Sequence, residues 1–185
     1  MLRAFFLIGS LVLVLALGSW GLRLAVRPTV RPAVGQQLSP EQEARLRELR
    51  QRIAQDPTNI AAVLELANFY YDLGRFAEAV PLYRQYLAAD PGQAEVRIDF
   101  AYALFASGEE EAGVAELHHV LERFPDHPIA LFNLGVLLAQ QGKMGQARQS
   151  FEELIRLHPA LPLSQRARQA LRMLDSLQQR VTVAQ

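Results

Sequence analysis

Between residues 63 and 73, apolar side chains fall at Val63, Leu66, Ala67, Tyr70 and Leu73. That i, i+3, i+4, i+7, i+10 spacing lines one face of a helix. Gly74 follows, the residue type best able to take the left-handed conformation that ends a helix. Phe76, Ala79, Val80, Tyr83 and Leu87 then lay out a second face. Asp90-Pro91 closes it, because a proline pushes the residue before it out of helical geometry. The pattern predicts two short amphipathic helices joined at a glycine. Neither could bury its apolar face alone, so the pair must stack on neighbours.

The same punctuation returns along the chain. Prolines stand at 57, 91, 125 and 159 and glycines at 74, 108 and 142, so both residue types recur every 34 positions. A fixed period in two helix-punctuating residues is the signature of a stacked repeat. The first copy reads Val63-x2-Leu66-Ala67-x2-Tyr70…Ala79-x3-Tyr83…Pro91. The second reads Arg97-x2-Phe100-Ala101-x2-Leu104…Gly113-x3-Leu117…Pro125, and the third Leu131-x2-Leu134-Gly135-x2-Leu138…Ala147-x3-Phe151…Pro159. This pattern resembles the tetratricopeptide repeat. The resemblance implies an all-α fold, a right-handed superhelix of three tandem helix-turn-helix repeats at 60–91, 94–125 and 128–159 within a 57–159 unit. Two departures stand out. No copy has the family's first-position tryptophan, and Arg97 puts a charge there. Pro81 also falls inside a second helix, near enough to its start to be tolerated.

Flanking helices complete the stack. Residues 41–56 read as a helix with Ser39 as N-cap and Pro40 in the first turn, the second half of a truncated preceding repeat. Residues 160–178 present Ala167, Ala170, Leu171, Leu174 and Leu177 on one side, with Arg166, Arg168 and Arg172 between them. That is the polar-backed end helix a solenoid needs for solubility, followed by a tail at 179–185.

The opposite end has a different character. Ala4 to Leu22 is 19 residues without a charge, about 28 Å as a helix and close to the thickness of a bilayer core. Residues 1–22 are therefore predicted to form a transmembrane signal anchor, with Trp20 at the headgroup boundary and residues 23–40 a proline-containing tether. A cleaved signal peptide is the competing reading, with Ala16-Leu17-Gly18 as the cut. The expected location is the bacterial inner membrane, single-pass, with the repeats on the periplasmic side.

Composition narrows function by exclusion. The chain has 185 residues and no cysteine, which removes disulfides, thiolate metal sites and cysteine nucleophiles. Its 19 basic and 19 acidic residues balance, but Arg3, Arg23, Arg27 and Arg31 all lie in the first 40 residues, where there is no acid. The repeats are thus mildly acidic, which argues against nucleic-acid binding. His118 and His119 point about 100° apart on one helix, and His127 and His158 lie in turns beside proline, so no metal site is predicted. Glu109-Glu110-Glu111 follow Gly108 at a helix start, where acids complement the helix dipole. With no phosphate loop, nucleophile elbow or His-Glu-x-x-His, neither catalytic residues nor a cofactor or small-molecule substrate is expected.

A binding surface is the better candidate. Each first helix carries a second stripe at i, i+4, i+7: Leu64, Asn68 and Tyr71; Ile98, Tyr102 and Phe105; Phe132, Val136 and Ala139. By the resemblance these positions face the concave side of the superhelix, where family members bind peptides. The competing reading is that they pack between adjacent first helices, or are covered by the protein's own N-terminal helix. Family members that clamp a C-terminal carboxylate use lysines and arginines here. Leu64, Ile98 and Phe132, with Asp72, Glu95 and Asp99 nearby, argue instead for an apolar or amphipathic partner segment with basic flanks. The expected function is a membrane-anchored scaffold for a partner protein in envelope assembly. The alternatives are a cytochrome c biogenesis factor presenting apocytochrome, which has a similar layout, or a permanent structural subunit of a larger membrane complex.

Overall fold

The computed structural model describes residues 37–183, and among them the chain forms eight helices and no strand. They are α1 (Pro40–Gln55), α2 (Ile60–Asp72), α3 (Phe76–Ala89), α4 (Ala94–Ala106), α5 (Glu110–Arg123), α6 (Pro128–Gln140), α7 (Met144–Leu157) and α8 (Pro162–Val183). The predicted anchor at 1–22 and nearly all of the tether lie outside the described residues. Among the described residues no helix is long and apolar enough to cross a membrane.

The three hairpins turn in the same way. Gly74, Gly108 and Gly142 take φ of 69°, 101° and 76°. In each, the glycine N–H donates to the third residue back and the next N–H to the fifth residue back, as in Gly74 to Tyr71 and Arg75 to Tyr70, both at 2.9 Å. This double closure satisfies two carbonyls that the helix end would otherwise leave open. The helices then approach over small residues. Ala67, Ala79, Ala101 and Ala147 are fully buried, and glycine takes the equivalent place at 113 and 135. A methyl on Gly113 would lie 2.5 Å from the Ala101 carbonyl oxygen, and one on Gly135 2.6 Å from the Phe151 ring.

Each helix packs on its successor, and first helices also meet across repeats, α4 on α6 and α6 on α8. First helices form one layer and second helices the other. The first helix of the third repeat is the most apolar part. In α6 every residue from Ala130 to Leu138 is buried, as a helix with apolar residues all round requires.

Both ends are closed by polar residues. In α8, Leu163, Ser164, Ala167 and Leu174 are buried against the stack, and the Ser164 hydroxyl donates to the His158 carbonyl at 2.5 Å. Gln165, Gln169 and Arg172 occupy the places that Leu131, Gly135 and Leu138 hold in α6, and they are exposed. The helix runs on to Val183, past the 178 expected from sequence, since nothing before Val183 breaks it. At the other end, Ser39 and Gln42 form a capping box over α1, with Pro40 in the first turn. Leu46 and Leu49 anchor α1 to the core, while Arg45 takes the place that Ala79 has in α3.

Ion pairs and histidines tie the units together. Glu65 on α2 accepts two bonds from Arg52 at 2.9 and 3.0 Å and one from Arg45 at 2.6 Å, and Arg50 donates to the Tyr70 hydroxyl at 2.8 Å. The Arg52 bonds hold the Glu65 carboxyl below its ordinary pKa. Arg97, the charge at the family's tryptophan position, meets Glu116 of α5 at 2.5 Å and also reaches the Pro91 carbonyl. In the first repeat the same two places are Val63 and Leu82, so an ion pair stands where an apolar pair would serve. His127 caps α6 through Nδ1 and meets Glu95 through Nε2 at 3.2 Å, and His158 meets the Asp126 carbonyl at 2.5 Å. Each histidine links one inter-repeat turn to the unit before it. His118 and His119 are exposed on α5. Pro81 sits in α3 without ending it, on the exposed side together with Ala77, whose carbonyl it leaves without a donor.

Candidate functional site

The inner layer is built from α2, α4 and α6, and its stripe residues divide into two groups. Tyr71, Ile98, Tyr102, Phe132 and Val136 are buried, at 5%, 3%, 8%, 1% and 9% exposure. Leu64, Asn68, Phe105 and Ala139 are half-buried.

The buried five are held in the packing between helices. Tyr71 lies 5.3 Å from Phe76 and 5.8 Å from Tyr102, and Phe76 lies 5.4 Å from Tyr102. The two contacts of Phe76 are edge-on and the Tyr71–Tyr102 contact is tilted, and together they couple the first repeat to the second through three rings. Burial raises the Tyr102 hydroxyl above the ordinary tyrosine pKa. Phe132 lies 5.6 Å from Phe151 of its own hairpin. Asn68, half-open, accepts a bond from the Tyr83 hydroxyl at 2.7 Å. These rings and branched side chains form the floor of the inner face. Leu64, Phe105 and Ala139 are what a partner could touch first.

The charge around that floor is one-sided. Helices α2, α4 and α6 carry Glu65, Asp72, Glu95 and Asp99 against a single base, Arg97. Glu65 is engaged by α1, Glu95 by His127 and Arg97 by Glu116. Nothing in this layer could clamp a carboxylate by charge. Among the described residues, no group of three or more His, Asp or Glu could hold a metal ion. Single-helix periodicity does not separate floor from rim. The stripe has the right phase, but its burial depends on neighbours 30 or more residues away in sequence.

A stack of helical hairpins with glycine turns and a 34-residue period defines a helical repeat scaffold. The tetratricopeptide repeat family matches in three segments, residues 44–94, 71–128 and 128–161, which run unbroken over more than half of the chain. The chain belongs to the tetratricopeptide repeat family. It is 27% identical over 121 residues to tetratricopeptide repeat protein 21A of Mus musculus, covering 65% of this chain and 9% of that protein. It is 29% identical over 104 residues to the CTR9 homolog of Arabidopsis thaliana, covering 52% of this chain and 10% of that protein. The chain thus spans about a tenth of the length of these curated relatives. Among solved structures, a MamA protein superposes with a TM-score of 0.64 at 22% identity, covering 72% of each chain. MamA from Desulfovibrio magneticus gives 0.65 at 15% identity, covering 76% of this chain and 77% of that one. A tetratricopeptide repeat protein from Parabacteroides merdae gives 0.64 at 19% identity, covering 74% and 54%. At these identities the likeness is one of fold.

Proposed function

We propose that this protein is a membrane-anchored scaffold that holds a partner protein on its inner face, in the assembly of an envelope or membrane complex. The observation that carries the reading is the composition of that face: an aromatic and aliphatic floor, half-open residues at Leu64, Phe105 and Ala139, and four acids against one base. The matching partner segment is apolar or amphipathic with basic flanks. The apolar run 4–22 supports the anchor, placed in a bacterial inner membrane with the repeats on the periplasmic side. Tetratricopeptide repeat proteins are in general scaffolds for protein–protein interaction, and the chain's membership of the family supports a binding role over a catalytic one.

The test is a photo-crosslinking side chain at Phe105 or Leu64 of the full chain in native membranes, with one at exposed Arg84 on α3 as control. The expected product is one partner, joined through an apolar segment with lysine or arginine beside it, from the inner positions alone. Phe105→Ser should weaken that capture at least tenfold while leaving the helical content unchanged. Capture from the Arg84 position instead would refute the assignment of the face.

A further inference from the structure

Two amide side chains in the core go unanswered. Asn133 is 6% exposed, and its Oδ1 has no hydrogen-bond partner. Neither Oε1 nor Nε2 of Gln141, the C-cap of α6, has one either. Among the described residues, every buried side-chain polar atom without a partner belongs to these two. Both look away from α7. Phe151 of α7 lies over Gly135, and at about 100° per residue Asn133 and Gln141 stand about 160° and 120° round the helix from it.

The other repeats satisfy the same places. Two periods earlier Asn133 becomes Glu65, which is bonded by Arg52 of α1, so this register faces the preceding unit. In α5 the place of Arg52 is taken by Val120, which has nothing to donate. One period earlier the residue is Asp99, which has a partner of its own. The counterparts of Gln141 are Leu73, which is apolar, and Ser107, whose hydroxyl donates to the Leu104 carbonyl. Among the described residues the deficit thus falls on the third repeat, where it meets the second.

We propose that the stack opens at this joint, with α6, α7 and α8 swinging as one body away from α1–α5. A buried unpaired amide carries a cost that water removes once the joint opens. Rings do not hold this joint as they hold the one before it. Tyr71 and Phe76 meet Tyr102, and Tyr83 meets Phe100, from the first repeat to the second. From the second to the third, the ring contact among the described residues is Phe124 with His127, 6.5 Å apart in the turn itself. His127 and Glu95 cross the joint at the surface, where such a pair is weak. The moving body is tied within itself, α6 to α7 at Gly135 and Phe151, and α7 to α8 through Arg148 with Asp175. Apolar surface between the bodies keeps the shut form in the majority, so the open form is a minor state. Opening changes the arc of the inner layer, which crosses the joint from α4 to α6.

Because the chain has no cysteine, single introduced thiols read the opening. Ala130, Ala103 and Ala167 are all fully buried. Ala130 stands on α6 about 140° round from Gly135, between Asn133 and Gln141 in bearing, and Ala103 stands about 160° round α4 from Ala101, the counterpart of Gly135. Ala130→Cys, Ala103→Cys and Ala167→Cys, each in the full chain in lipid nanodiscs, are treated with a thiol reagent under native conditions. The thiol at 130 should react at least about tenfold faster than those at 103, in the joint before, and 167, inside the moving body. Asn133→Leu with Gln141→Leu should slow it about tenfold and leave the other two as they were. Equal rates at all three positions would mean that the core opens only as a whole, and would overturn the proposal. A thiol at 167 as fast as that at 130 would overturn it in favour of fraying inward from α8. A rate at 130 indifferent to both leucines would overturn it too, since the amides would not be the cause. Should the double variant not fold, Gln141→Leu alone, which puts there the residue of the first repeat, should slow the thiol at 130 severalfold, and no slowing would count against the proposal in the same way.

Discussion

Gly135 offers the sharpest test of how tightly the hairpins are packed. In the interior of α6, replacing glycine by alanine should ordinarily gain about 1 kcal/mol from backbone entropy alone. Here the new methyl would sit 2.6, 2.8 and 2.8 Å from three atoms of the Phe151 ring. That ring is 1% exposed and already in contact with Phe132, so it has nowhere to retreat. Overpacking of this kind costs about 1–3 kcal/mol. The cost exceeds the gain, and Gly135→Ala should destabilise by about 1 kcal/mol, or about 2–4 °C in Tm for a domain of this size. The second repeat shows the remedy, since its equivalent pair is Ala101 with Leu117. In a Phe151→Leu background the same Gly135→Ala change should therefore stabilise by about 1 kcal/mol, a coupling of about 2 kcal/mol between the two sites. Urea unfolding followed by circular dichroism, on wild type, both single variants and the double, measures it. If Gly135→Ala raises the midpoint equally in both backgrounds, the close approach of α6 and α7 is not what the structure says it is.

Four further outcomes are expected. Gly142→Ala has open space around it but φ of 76°, so it should lose about 1–2 kcal/mol from backbone strain, and Phe151→Leu should not relieve it in the same urea titration. Arg97→Ala strands the half-buried Glu116, and should lower the unfolding free energy by about 1–3 kcal/mol, whereas Arg97→Val with Glu116→Leu, the pair found in the first repeat, should restore it or better. Glu65 is held below its ordinary pKa by Arg52, so its contribution is full above the unfolded carboxylate pKa and fades as pH falls through the folded value. Because the group is well exposed, that loss should be about 0.5–1 kcal/mol, and Glu65→Gln should remove this part of the fall in stability below the ordinary carboxylate pKa, read by urea unfolding at a series of acid pH values. Tyr102→Ala with Phe132→Ala should unfold much of the stack, each truncation costing about 3–5 kcal/mol, so thermal melts of that variant should show a loss of helix well beyond that of Phe105→Ser.

How much of this was legible in the sequence follows from how far apart the cooperating residues lie. The hairpins were legible because their signals are local: a glycine ends one helix, a proline ends the next, and the spacing between them repeats. Ser39 and Pro40 announced α1 for the same reason. Arg97 read only as a departure from the pattern because its answer, Glu116, is 19 residues on and belongs to a different helix. His127 and His158 read as turn residues because each reaches back 32 positions. The inner stripe was legible in phase and not in depth. A period of 3.6 identifies a face, but α6 touches α4, α5, α7 and α8 at once, and only the assembled layers show that Phe132 and Val136 lie within the packing while Leu64 and Phe105 lie at its edge.

The two polar end helices have a consequence for size. A repeat array can in principle lengthen by duplication, since each unit offers its neighbour the same sticky side. Here Gln165, Gln169 and Arg172 present a polar face where the next unit would dock, so α8 does not repeat that sticky side. Growth past α8 is thus disfavoured, and the arc that the inner layer subtends is bounded on that side. The three described units set the length of that arc, and lengthening it past α8 would require rewriting the polar face of α8.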